Sequence, residues 1–240
     1  MQKHTTHKGL ILGLLSLAQF MLILYTSIVN IAIPSIAQAL SFAPQNLQWV
    51  VTAYTLTFGG FLLLGGRAAD LFGRRRIFLM GLGLFTLASL LGGLAQDSGQ
   101  LVAFRALQGL AGAFMSPAAL SIVVTTFKEG KERNKALSVW GAVAAGGAAA
   151  GLLLGGILTQ YLDWRWNFFV NVPVGILVFL AAFRYIPESK ANVDHKELDL
   201  FGAVLATSGL MTLVYGLVKA SDYGWTNGKT IGLIVGSFVL

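Results

Sequence analysis

Arg105 and Gln108 stand three residues apart in the otherwise apolar stretch LVAFRALQGLAGAFMSPAAL, and Gly109 and Gly112 follow at the fourth and seventh positions from the arginine. That spacing puts all four on one face of a helix. A cation held in hydrocarbon costs about 2.5 to 3.5 kcal/mol on insertion scales, so it must face a cavity or a partner group, and a transport pathway supplies both. The alternative is an arginine close enough to the surface to snorkel to the headgroups. A second concentration of charge lies in LLLGGRAADLFGRRRIFLMGL, where Arg67, Asp70, Arg74, Arg75 and Arg76 separate two apolar runs. Gly66 and Gly73 permit a tight turn and close helix approach there. Asp70 can pair with one of the arginines or cap the following helix, making a rigid latch able to open and close as two bundles rock.

The elements that must position these residues are membrane helices. The 240 residues are 55% hydrophobic and 11% charged, with a mean hydropathy of +0.72, whereas a soluble domain is about a quarter charged. Runs long enough to cross a bilayer, roughly 20 residues each, occupy Leu10 to Ile33, Leu47 to Gly66, Ile77 to Leu94, Leu101 to Val124, Ala136 to Leu158, Phe168 to Tyr185 and Leu200 to Val218. An eighth run begins at Ile231 and reaches Leu240 after ten residues. That is too short to span, and predicts that this chain is the first part of a longer protein. The first run is too long for a signal peptide and no small-residue cleavage site follows it, so it is expected to be retained as a helix.

Alternate connections differ in charge. Thirteen of the 17 Lys and Arg residues fall on one side, in the segments around Lys3, Arg74, Lys131 and Arg184, and four on the other. The positive-inside rule then places the N-terminus in the cytoplasm. This topology accounts for the net charge of +7 without a nucleic-acid partner. The chain has no cysteine, which excludes disulfides and thiolate metal sites. The expected spans hold no histidine cluster, paired carboxylates or base-activated nucleophile, so enzymatic chemistry, a metal and a cofactor are not expected.

The stretch from Gly66 through Asp70, Gly73, Arg74 and Arg75 resembles the G-x-L-A-D-R-x-G-R-K signature of the major facilitator superfamily, departing from it at Ala68 and Leu71. The Arg105 face resembles the same superfamily's R-x-x-Q-G motif on helix four, which the resemblance implicates in proton transfer. In the fifth span Gly147, Gly151 and Gly155 are four apart, a spacing that lets helix backbones meet. With Gly156 the stretch is similar to the antiporter motif G-x-x-x-G-P-x-x-G-G, although Leu152 takes the place of the proline. The segment WRWNFFVNVPVG, with Trp164, Arg165 and Trp166 expected at the outer interface, resembles a signature of the fourteen-helix drug:proton antiporter branch. The short connection from Ile186 to Asp199 agrees with that branch, which has two extra helices between its bundles.

The resemblance implies an all-α, polytopic membrane protein. Residues 1–186 would be an N-terminal six-helix bundle, and residues 187–240 linker helix seven and the start of helix eight. It implies a plasma-membrane secondary transporter of small amphipathic drugs, coupled to protons, whose partners are the bilayer, its substrate and the missing C-terminal half. Asn30, Tyr54, Arg105 and Gln108 would line its pathway. A half-length protein acting by dimerisation or as a scaffold is the competing class.

The first helix, LILYTSIVNIAIP, is similar to the branch's L-D-x-T-I-V-N-V-A-L-P motif but has Tyr25 at the acidic position. A carboxylate in the membrane can exchange protons or hold a cation, while tyrosine, with a reference pKa of about 10, stays neutral. Three explanations stay open: acids in the missing half carry the proton, the protein couples differently or takes neutral or anionic substrates, or it is inactive.

Overall fold

In a lipid layer each backbone N–H and C=O must find its partner within the protein, and the apolar runs accordingly fold as helices. The computed structural model describes residues 7–190 and 200–239. In chain order the helices are α1 (Lys8–Ala39), α2 (Trp49–Phe72), α3 (Arg74–Gly93), α4 (Ser98–Thr126), α5 (Lys131–Tyr161), α6 (Trp166–Phe169), α7 (Asn171–Tyr185), α8 (Leu200–Tyr223) and α9 (Gly228–Val239). Among the described residues six segments are long and apolar enough to cross a membrane: α1, 44–72, α3, α4, α5 and 166–185. The seventh expected span coincides with α8, whose apolar part is Val204–Ala220.

Local chemistry sets the helix ends. The Asp97 carboxylate accepts a hydrogen bond of 2.9 Å from the Gln100 amide and so caps α4. Between α2 and α3 the entire turn is Gly73, with φ of +109°, a conformation that costs a side chain dearly. The sixth span is split after Phe169 because Pro173, in the first turn of α7, has no N–H to return to the Phe169 carbonyl.

The core lies between α1, α2, α3 and α4, where Tyr25, Phe78, Phe85, Leu101 and Met115 are fully buried. Small residues set its spacing. A Cβ on Gly81 would come within 2.9 Å of the Ala111 carbonyl on α4, and one on Gly65 would collide with the Ala113 carbonyl. α5 lies along α1 and leaves Leu152, Leu153 and Ile157 exposed. α8 rests on α2, with Met211 against Gly60 and the Tyr215 ring 6.3 Å from that of Trp49.

The basic connections gather at one end. Lys8, opening α1, pairs with Glu132, opening α5, at 2.7 Å. At the opposite end the Arg165 guanidinium donates to the carbonyls of Gly93 (2.8 Å) and Ala95 (2.6 Å). Of the three residues expected at that interface, Trp164 is instead buried, while Trp166 is exposed.

Candidate functional site

Arg105 does not snorkel. It is 2% exposed, and its Nε donates 2.7 Å to the Val50 carbonyl on α2. The guanidinium lies over two rings, 4.9 Å from the centroid of Tyr25 and 4.5 Å from that of Tyr54. Cation–π attraction of this kind grows when water is excluded. Its Nη1 is 3.5 Å from the Gln108 amide oxygen, which also accepts the Tyr25 hydroxyl proton. The Gln108 Nε2 donates onward to the Ser89 hydroxyl at 3.0 Å. Among the described residues no ion pair reaches the arginine, so its charge is spread over a carbonyl, an amide and two aromatic faces.

The glycines of the same α4 stripe explain how α2 comes so close. At Gly109 a Cβ would collide with the Tyr54 carbonyl and the Thr57 hydroxyl. That contact lets Thr57 donate 2.8 Å across to the Ala106 carbonyl. Tyr25 is itself packed edge-on against Phe85 and Phe168, at 5.4 and 5.6 Å between centroids. The aromatic ring thus fills the volume around the position where related motifs have a carboxylate. Tyr54 stacks on Phe58 at 5.8 Å, and its hydroxyl is buried without a hydrogen-bond partner among the described residues. Asn30 is exposed. Five residues beyond Tyr25, it lies well round the helix, and the structure does not bring it to the cluster.

The basic-end motif differs from its expected form. Gly66 and Asp70 belong to α2, not to a connecting loop, and Gly66 makes only an ordinary contact with Pro117 while Gly65 supplies the close approach. Asp70 pairs with Arg74, at 2.8 Å to Nη2 and 3.2 Å to Nε; it does not cap α3. The cap is Glu188, beyond α7, whose carboxylate oxygens accept from the amides of Arg75 (3.0 Å) and Arg76 (3.1 Å). Ser189 adds its carbonyl to the Arg74 amide at 2.9 Å, and the Arg75 guanidinium donates to the Phe183 carbonyl. The segment behind α7 therefore clasps the α2–α3 turn.

Sequence reasoning missed Glu188. Its signal was an acid directly after Pro187, at the end of a helix, but which helix start it would cap depends on tertiary approach. Glu188→Gln keeps an acceptor but removes the charge that favours a helix N-terminus. It is expected to lower stability by about 0.5–1 kcal/mol and to speed amide exchange at Arg75 and Arg76, read by hydrogen–deuterium exchange.

Along α5, Gly147, Gly151 and Gly155 all face α1. A Cβ at each would come within 3.2, 2.6 and 3.0 Å of Phe20, Leu24 and Ile28 backbone atoms respectively. Gly156 does not share that face and has open space beside it.

The family model described as Major Facilitator Superfamily matches residues 15–240. A puromycin resistance protein of Streptomyces alboniger is 50% identical over 91% of this chain and 43% of its own length. The cephamycin export protein of Amycolatopsis lactamdurans is 48% identical over 87% of this chain and 43% of its own length. The chain thus spans less than half the length of these curated relatives. A crystal structure of a POT peptide transporter in complex with sulfate superposes with a TM-score of 0.69 at 17% identity, over 99% of this chain and 51% of that one. At that identity the likeness speaks for the fold alone, whereas the family match runs over nearly the whole sequence, and the chain belongs to the Major Facilitator Superfamily.

Proposed function

We propose that this chain is the N-terminal part of a secondary active exporter of small amphipathic drugs, coupled to protons and working by alternating access. Residues 1–186 form its first bundle and residues 187–240 the linker helices. The observation that carries the reading is the buried Arg105 cage, because a charge inside a membrane bundle is expensive, rare and characteristic of substrate or ion pathways. The names of the relatives, which include the tetracenomycin C resistance and export protein of Streptomyces glaucescens, 37% identical over 89% of this chain, support drug export. The bundle stands in the plasma membrane with its N-terminus in the cytoplasm, on the strength of the thirteen basic residues at that end.

In this reading Arg105 and Gln108 hold the inner faces of α1, α2 and α4 in one arrangement. The Tyr54 hydroxyl beside the cation, without a partner among the described residues, is a donor kept for a solute or water in another state. The Asp70–Arg74 pair, with Gly66, Gly73 and Arg75, belongs to the conformational latch at the cytoplasmic end. Gly147, Gly151 and Gly155 form the antiporter-type packing face. Tyr25 fixes the cage and carries no proton; the coupling acid lies in the rest of the full-length protein.

The test is drug efflux by the full-length protein in a pump-deficient bacterium, with and without a protonophore. Active efflux that the protonophore stops supports the reading, and drug levels equal to those of empty cells refute it. Tyr25→Phe keeps the ring over Arg105 and deletes one hydrogen bond, worth about 1 kcal/mol. It is expected to leave protonophore-sensitive efflux within about threefold of wild type. Loss of that sensitivity with drug binding intact would put the proton on Tyr25.

A further inference from the structure

A second candidate site lies on the outside of the bundle, away from the Arg105 cage. Between α3 and α7 runs an open groove of about 310 Å³, lined by Gly83, Thr86, Leu87, Gly175, Ile176 and Phe179. Its lining is almost wholly apolar. Its depth comes from two glycines: Gly175 lets α7 close onto Thr86, and a Cβ on Gly83 would only touch the Phe179 ring at 3.4 Å. Leu87 and Ile176, on its rim, are about half exposed at 50% and 48%. Because both helices are membrane-spanning, the groove opens towards lipid.

The stripe of α3 that lines it, Gly83, Thr86, Leu87 and Leu90, continues one heptad back to Arg76, and the α7 stripe continues to Phe183. Arg76 is exposed, and its guanidinium has no hydrogen-bond or ion-pair partner among the described residues. Beside it, Arg75 lies over the Phe183 ring at 4.9 Å, and its Nε is buried without a partner. Two cations, the exposed Arg76 and the Arg75 held over Phe183, therefore stand at the basic foot of an apolar groove. From Arg76 to Gly83 is about 10 Å along the helix, within the roughly 15 Å half-thickness of a bilayer's hydrocarbon.

We infer that the α3–α7 groove is a binding site for one anionic phospholipid, its phosphate on Arg76 and Arg75 and an acyl chain along Gly83, Leu87 and Ile176. Charge complementarity selects the headgroup: clustered cations next to a membrane helix favour anionic over zwitterionic lipid. A second copy of this chain is a poorer occupant, because it would bring the same arginines together.

The test is native mass spectrometry of the full-length protein, delipidated in detergent and titrated with phosphatidylglycerol or phosphatidylcholine. Wild type is expected to retain one phosphatidylglycerol at activation energies that strip phosphatidylcholine. Arg76→Gln is expected to weaken that binding about fivefold, roughly the value of one surface cation. Gly83→Phe and Leu87→Trp, which fill or narrow the groove from two positions, are each expected to remove it, while Leu153→Trp on exposed α5 leaves it unchanged. Equal retention of the two lipids, or unchanged phosphatidylglycerol binding in Arg76→Gln and in whichever groove variants keep the wild-type unfolding temperature, overturns the proposal. So does a wild-type dimer that Gly83→Phe converts to monomers.

Discussion

Arg105→Ala is expected to reduce energised efflux by the full-length protein to the level of empty cells while the protein still inserts and accumulates. The substitution removes a group that simultaneously holds the Val50 carbonyl, the Gln108 amide and the faces of Tyr25 and Tyr54. It leaves a hole in a packed site and costs about 2–5 kcal/mol, a loss that a bundle tied by several helix pairs can survive. Arg105→Lys is the sharper variant. An ammonium keeps the charge but is a point, without the planar fork that reaches a carbonyl while lying flat on a ring. About a tenth of wild-type efflux or less is expected from it, and wild-type efflux in either variant would remove Arg105 from the mechanism.

Gly151→Val and Gly156→Val, five residues apart on α5, are expected to diverge widely. At Gly151 even the first carbon would sit 2.6 Å from both the Leu24 carbonyl and the Ser27 Cβ. Backbone cannot step aside, so α1 and α5 must separate, at a cost of about 1–3 kcal/mol or more. The displaced segment of α1 includes Tyr25, so the effect passes directly to the ring that covers Arg105. Efflux should fall at least as far as stability does. At Gly156 nothing stands within 4 Å, and the change is expected to stay within about 0.5 kcal/mol. Thermal unfolding in detergent and efflux in cells measure both quantities. Equal behaviour of the two variants would mean that the packing face is not where the structure places it.

The contrast shows what the sequence could tell. Periodic small residues with a four-residue spacing predict a close helix contact, and in the structure Gly147, Gly151 and Gly155 all face α1. Gly156 came with them only because the resembling motif ends in a glycine pair; one step along a helix turns a residue by 100°, which takes it off that face. The helical spans were legible for the same kind of reason, since length and hydropathy suffice when lipid forbids any other backbone. The Arg105 stripe was legible because a cation in an apolar helix demands company.

Only part of that company was legible. Tyr54 is expected from the sequence in the same pathway as Arg105, but Val50 and Ser89 come from α2 and α3, and no local pattern says which carbonyl or hydroxyl will join a given guanidinium's network. At the basic end the pattern contained Asp70 and the arginines but not Glu188, which lies more than a hundred residues away in sequence from the amides it caps. Asn30 matched the motif, and in the structure it lies exposed on α1, away from the Arg105 cluster.

In the proposed cycle a proton gradient drives drug out through a pathway of the full-length protein built around the Arg105 cage. The most direct measurement is uptake of a fluorescent amphipathic drug into proteoliposomes holding the purified full-length protein, with and without an imposed pH gradient. The expected result is accumulation that follows the gradient, collapses with a protonophore and is absent from Arg105→Ala vesicles. Uptake equal with and without the gradient, or undiminished in the alanine variant, would contradict it.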